Sequence, residues 1–151
     1  MLEQRESHIM ADSEPIRVLV VEDNPDDQEL LHYELKKTPV GKHVLAVSDP
    51  RAALKLLQGE SASDFKRHLL AIFLDVRLPH MSGIDLLKLI RKMDGMESFP
   101  IIIMTASPPP ETIAACRELK VMALLEKPIS FNTFAKSIAD LFHASQGSAQ
   151  H

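Results

Sequence analysis

The chain has a single cysteine, Cys116, so no internal disulfide can form. A domain of 151 residues needs none, because it buries about two thirds of the surface that its unfolded chain exposes. Cys116 stands in Ala114-Ala115-Cys116 within a helical pattern and reads as a small buried apolar residue rather than a reactive thiol. Long uncharged apolar runs are absent too, and the amino terminus lacks the apolar stretch of a signal peptide, so no membrane insertion is predicted and the expected location is the cytoplasm. Excess positive charge is also missing. The net charge of -4 gives no reason to expect direct contact with nucleic acid. The seven histidines, His8, His32, His43, His68, His80, His143 and His151, show no metal-ligand spacing and are expected to be solvated. No internal repeat is present.

What the chain does have is apolar runs that end abruptly in acid. Val18-Leu19-Val20-Val21 leads into Glu22-Asp23, and Ala71-Ile72-Phe73-Leu74 leads into Asp75. If these are neighbouring parallel strands buried on both faces, their carboxyl ends open on one crevice and three carboxylates meet there. Carboxylates about 5 Å apart repel by roughly 3 kcal/mol per pair at an effective dielectric near 20. Without a compensating charge one of them would take up a proton. Hard oxygen donors with no His or Cys beside them suit Mg²⁺. Two further apolar runs end in polar residues that fit the same crevice: Ile101-Ile102-Ile103-Met104 before Thr105-Ala106-Ser107, and Val121-Met122-Ala123-Leu124-Leu125 before Glu126-Lys127-Pro128.

Strand and helix signals alternate, the pattern of a parallel sheet covered by helices. Residues 1–14 are polar and unpatterned; they are expected to be disordered, or an appended segment with Met10 as the natural start. The domain is expected over 15–142, with 143–151 a tail too short for another domain. The first strand is placed at about Ile16 to Val21. Asn24 then caps a helix, Pro25 takes its first position, and Asp26 and Asp27 complement its dipole; it should run to about Lys37. Thr38-Pro39-Val40-Gly41 breaks it, and His43 to Val47 reads as the second strand. Asp49-Pro50 opens a helix with Ala53, Leu54 and Leu57 on one face. From Gln58 to His68 a solvated loop is expected, ending in the basic cluster Lys66-Arg67-His68. Leu69 to Leu74 is the third strand, followed by a loop over Leu78 to Gly83 and a helix bearing Ile84, Leu87 and Ile90. Met93 and Met96 read as core or loop filler. Pro108-Pro109-Pro110 precede a helix of about Glu111 to Leu119. Ser130 caps a last helix whose core face is Phe131, Phe134, Ile138, Leu141 and Phe142.

Glu22-Asp23, Asp75, Thr105 and Lys127-Pro128, in that order and each at a strand end, resemble the receiver domain of two-component response regulators over about Ile16 to Phe142. The resemblance implies an α/β fold: a doubly wound, flavodoxin-like sheet of five parallel strands flanked by helices. It implies that Asp75 is the phosphoacceptor, taking a phosphoryl group from a phosphohistidine. Mg²⁺ would be held by Asp23, by Asp75 and by the backbone carbonyl of Arg77, with Glu22 acting mostly through metal-bound water. Lys127 would pair with a phosphoryl oxygen, and Pro128 is the expected cis-proline. Thr105 would donate a hydrogen bond to the phosphoryl group, and Ala106 leaves room for it. The upstream partner implied is a sensor histidine kinase or a histidine phosphotransfer protein. Output from a stand-alone receiver would pass to an unidentified protein target through the helix after the fourth strand, the fifth strand and the last helix; a phosphorylation-dependent dimer is left open. Such a domain supports only its own phosphoryl transfer and autodephosphorylation, and is not otherwise an enzyme.

Departures from the family pattern are as informative as the matches. Three residues before the lysine most receivers carry Tyr or Phe, which swings inward when the threonine moves; this chain has Leu124, which puts the usual threonine-to-aromatic switch in doubt. Where Gly often precedes the fifth strand stands Lys120, at a cost of about 1 kcal/mol if the backbone is left-handed there. Arg77 and Ser107, two residues after Asp75 and Thr105, flank the path of attacking water and would set the lifetime of the phosphorylated state. Two other readings compete: a receiver fold used as a phosphorylation-independent adaptor, and an aspartate-nucleophile phosphohydrolase. The second is weakened because such enzymes usually place an acid where Arg77 stands.

Overall fold

The computed structural model describes residues 15–39, 41–130, 136–137 and 139–140. Along the chain run β1 (Val18–Val21), α1 (Pro25–Leu35), β2 (Val44–Val47), α2 (Pro50–Gln58), α3 (Ala62–His68), β3 (Ala71–Asp75), α4 (Gly83–Arg91), β4 (Ile101–Thr105), α5 (Pro110–Glu118) and β5 (Ala123–Glu126). The strands form one parallel sheet in the order β2-β1-β3-β4-β5. Chain order reverses between β1 and β3, and at such a switch point the strand ends leave a crevice.

The doubly wound architecture follows from the unbroken apolar strands. Leu19, Val21, Ile72, Leu74, Ile101 and Ile103 face one side of the sheet, where Ala53 and Leu57 of α2, Leu86, Leu87 and Ile90 of α4 and Cys116 of α5 pack on them. Val18, Val20, Ala71, Phe73, Ile102 and Met104 face the other side and meet Leu31 and Leu35 of α1. With both faces covered, a strand has no polar side to alternate with. Cys116 and Met96 are buried in the first of these clusters, with Met93 against it. No described helix is long and apolar enough to cross a membrane.

The helix starts are where the capping residues put them. The Asn24 carboxamide accepts from the backbone N–H of Asp26 (2.8 Å) and Asp27 (3.3 Å), Asp49 accepts from that of Arg51 (2.8 Å), and the Ser82 hydroxyl accepts from that of Asp85 (3.1 Å). One expectation is overturned. Part of the polar stretch from Gln58 to His68, read as a solvated loop, is the helix α3. Its apolar content is small but correctly spaced: Ala62 is buried and Phe65, one turn on, packs against the core. Asp64 in its first turn and Lys66, Arg67 and His68 in its last suit the helix dipole, and Arg67 pairs with Asp64. The basic cluster is thus a helix terminus.

Lys120 does adopt the left-handed backbone, with φ of 60°. Arg91, the last residue of α4, ties that turn down: its guanidinium donates to the carbonyls of Leu119 (2.8 Å), Lys120 (3.0 Å), Met96 (2.9 Å) and Phe99 (2.8 Å). The expected core face of the last helix, Phe131, Phe134, Ile138, Leu141 and Phe142, lies outside the described residues, as do 1–14 and 143–151.

Candidate functional site

Register brings the polar strand ends together. Val21 is level with Leu74, Asp75 with Met104, and Thr105 with Glu126, so the residues that follow β1 and β5 and those that end β3 and β4 share one edge of the sheet. There Glu22, Asp23 and Asp75 each present a carboxylate oxygen within 4.8 Å of the others. Glu22 and Asp75 are buried, at 1% and 5% exposure, whereas Asp23 stands open to solvent. Thr105 is buried beside them, and its carbonyl accepts from the Lys127 backbone N–H at 2.7 Å. The Lys127-Pro128 peptide is cis, as expected from the sequence.

Lys127 is the electrostatic centre. Its ammonium donates to Glu22 Oε1 at 2.8 Å, to Asp27 Oδ2 at 2.8 Å and to Asp75 Oδ2 at 3.1 Å. Burial works against its charge, but the hydrogen bonds to Asp27 and Glu22 and the field of Asp75 outweigh that and hold its pKa above the ordinary lysine value. Burial pushes the Glu22 carboxyl up to about 7; Lys127 pulls it down, while Asp75 adds to the rise. Asp27 is the residue that sequence reasoning missed. Its sequence position suggests only a charge complementing the dipole of α1, but the first turn of that helix leans over the crevice and makes Asp27 a fourth carboxylate of the site. With all four ionised, Glu22, Asp23, Asp27, Asp75 and Lys127 carry a formal charge of -3, more acidic than the three carboxylates counted from sequence imply. An acid in the first turn after a strand that ends in acid is the signal that could have found it.

Arg77 is exposed at the cleft holding Asp23, Asp75 and Thr105, and its backbone N–H donates to Asp75 Oδ1 at 3.3 Å. Ser107 is exposed with a left-handed backbone, φ 47°. Leu124 sits apart in β5, level with Ile103 and half-buried against the core. Among the described histidines, His80 is half-exposed, and its ring meets Arg51 at 2.8 Å and Asp49 at 3.5 Å rather than the carboxylates of the site.

Gly83 at the start of α4 fixes the position of Asp75. Its N–H donates to the Val76 carbonyl at 2.7 Å, and a Cβ there would lie 2.0 Å from the Asp75 carbonyl oxygen and 2.8 Å from its carbon. Backbone cannot yield cheaply. Gly83→Ala is expected to cost about 3 kcal/mol in urea unfolding, in the upper range for overpacking. A loss below about 0.5 kcal/mol would show that α4 shifts freely.

A cluster of oxygen donors at the carboxyl ends of a doubly wound sheet, beside a lysine preceded by a buried threonine, has clear counterparts among known proteins. The model of the response regulator receiver domain matches residues 18–139. This chain belongs to the response regulator receiver domains. Receivers are signalling domains of two-component systems. The chain is 31% identical over 128 residues to the sensory/regulatory protein RpfC of Xanthomonas campestris pv. campestris, a match that takes in 83% of this chain and 16% of that much longer protein. It is 28% identical over 133 residues to the response regulator Rcp1 of Synechocystis sp., covering 88% of this chain and 86% of Rcp1. The solved Mn²⁺-bound form of Rcp1 superimposes with a TM-score of 0.65 at 27% identity, over 88% of this chain and 91% of Rcp1. The chemotaxis protein CheY4 of Vibrio cholerae shares the fold, with a TM-score of 0.70 over 84% of this receiver and 98% of CheY4 at 24% identity.

Proposed function

We propose that this receiver accepts a phosphoryl group on Asp75 from a phosphohistidine and signals through protein contacts. The observation that carries the reading is the placement of Asp75 Oδ2, 3.1 Å from the Lys127 ammonium and next to the Glu22–Asp23 pair at the mouth of the cleft. An Asp75 oxygen attacks phosphorus in line with the leaving imidazole nitrogen; the P–N bond breaks, an acyl phosphate forms, and the histidine leaves. Lys127 holds one phosphoryl oxygen and the Thr105 hydroxyl donates to another.

The donor set fits a hard divalent cation: carboxylates with no nitrogen or sulfur among them, one pushed up to about 7 by burial despite its bond to Lys127. Asp23, Asp75 and the Arg77 carbonyl are the groups that would hold Mg²⁺, with Glu22 acting through water. The ion would supply charge that offsets the carboxylates and the incoming phosphoryl group. Because Asp23 is exposed and free to turn onto an ion while Glu22 is committed to Lys127, Asp23→Ala should weaken Mg²⁺ binding more than Glu22→Ala does. Calorimetric titration decides it, and equal affinities would mean that the roles are divided wrongly.

The donor is a sensor histidine kinase or a histidine phosphotransfer protein, and the target is a protein read through α5, β5 and the segment beyond them. Leu124 has no hydroxyl and less reach than an aromatic ring, and Pro108 and Pro109, with Pro110 opening α5, restrict the path between Thr105 and that helix. The response to phosphorylation should therefore centre on Thr105 to about Thr112, with modest coupling of about 1–3 kcal/mol. Hydrogen exchange with and without beryllofluoride should change over that span, and Thr105→Ala should alter the response far more than Leu124→Ala. Abolition of the change by Leu124→Ala would make the leucine the switch residue. For the reading as a whole, incubation with a small phosphodonor such as acetyl phosphate should add one phosphoryl mass to the intact protein, and only with a divalent ion. No adduct under those conditions would refute it.

A further inference from the structure

An ammonium group has three N–H donors and no more. In this receiver all three are taken, by Glu22, Asp27 and Asp75, with Asp75 the longest of the three contacts. Esterified Asp75 gives up its own hold on one N–H, but the phosphoryl oxygens lie beyond the carboxylate, and for the ammonium to move out onto them Glu22 or Asp27 must give up its donor as well. Glu22 is poorly placed to do so. It is 1% exposed, and its other oxygen already accepts from the Asn24 N–H at 3.1 Å, so releasing the ammonium would strand a buried charge. Asp27 is different. Its side chain is 36% exposed, it sits in the first turn of α1, and water and the helix dipole can take over its charge when the lysine leaves.

Resting on the phosphoacceptor reading of Asp75, we propose that Asp27 is a positioning residue that holds Lys127 toward α1 in the unphosphorylated protein and competes with the phosphoryl group for its ammonium. Phosphorylation then exchanges one partner for another: the Asp27 hydrogen bond is given up and a bond to the phosphoryl oxygen replaces it. Asp27 thereby lowers the affinity of the site for a phosphoryl-like anion, and the exchange frees a carboxylate at the amino end of α1. Asp26 supplies the control that separates this from simple charge. It lies in the same turn and lines the same cleft, but makes no contact with Lys127 among the described residues.

The test is a titration of the full chain with beryllofluoride at saturating Mg²⁺, followed by fluorine resonance. Asp27→Asn and Asp27→Ser should each bind about three- to fivefold more tightly than wild type, the worth of a partly exposed ion pair, while Asp26→Asn changes affinity less than about twofold. In a Lys127→Met background the Asp27 substitutions should have no effect, because nothing is left to compete for. Equal gains from the Asp26 and Asp27 variants would overturn the proposal in favour of long-range charge, and weaker binding by both Asp27 variants would overturn it in favour of Asp27 aiming the lysine at the phosphoryl group. Failure of the wild-type protein to bind beryllofluoride at all would instead refute the phosphoacceptor reading.

Discussion

Asp75→Asn is expected to abolish the phosphoryl adduct. Asparagine has the shape of the aspartate and can keep the 3.3 Å hydrogen bond from the Arg77 N–H, so the fold and the cleft are preserved while the nucleophilic oxygen is lost. The substitution also removes one of the four acids of a crowded site, so stability should hold or rise slightly. Intact mass after phosphodonor treatment should show no shift, with a melting temperature no lower than that of wild type. Stoichiometric labelling of a folded Asp75→Asn protein would place the acceptor elsewhere.

Lys127→Met carries the second large effect, on two observables at once. The ammonium is the shared partner of Glu22, Asp27 and Asp75, and is itself only 18% exposed. Its loss leaves Glu22 buried without a cation, at a cost of about 2–3 kcal/mol in metal-free protein, below the full value for a buried pair because Glu22 can take up a proton instead. Divalent ion should restore much of that stability, since it supplies the missing charge. Adduct formation from a small phosphodonor should slow by about 100-fold, the usual effect of removing one charged donor to an oxyanion. A variant as stable and as fast as wild type would mean that the lysine is a bystander.

Much of this was legible in the sequence because a parallel strand covered on both faces has no polar residue until it ends. Val18–Val21 and Ile101–Thr105 announce both the strand and the site, since the first polar residue marks the crevice. Caps at Asn24, Asp49 and Ser82 fix the helix starts, the first two made legible by the proline that follows each. What could not be read depends on phase and on distant partners. Asp27 reaches Lys127 across 100 positions of sequence, and nothing in the run Pro25-Asp26-Asp27 says which acid turns inward. The helix α3 is short and polar, and its two inward residues are too few to give a periodic signal. Arg91 looks like an ordinary charge at a helix end, yet it binds four carbonyls in two separate segments. The left-handed turn at Lys120 is legible from the sequence, but not the clamp that holds it.

The central claim is that an acyl phosphate forms on Asp75, and borohydride tests it most directly, since it reduces an acyl phosphate of aspartate to homoserine. Wild-type protein phosphorylated in Mg²⁺, quenched with borohydride and mapped by peptide mass spectrometry should carry homoserine at position 75 and at no other aspartate. Homoserine at Asp23 or Asp27, or phosphate retained on a serine, threonine or histidine, would contradict the account.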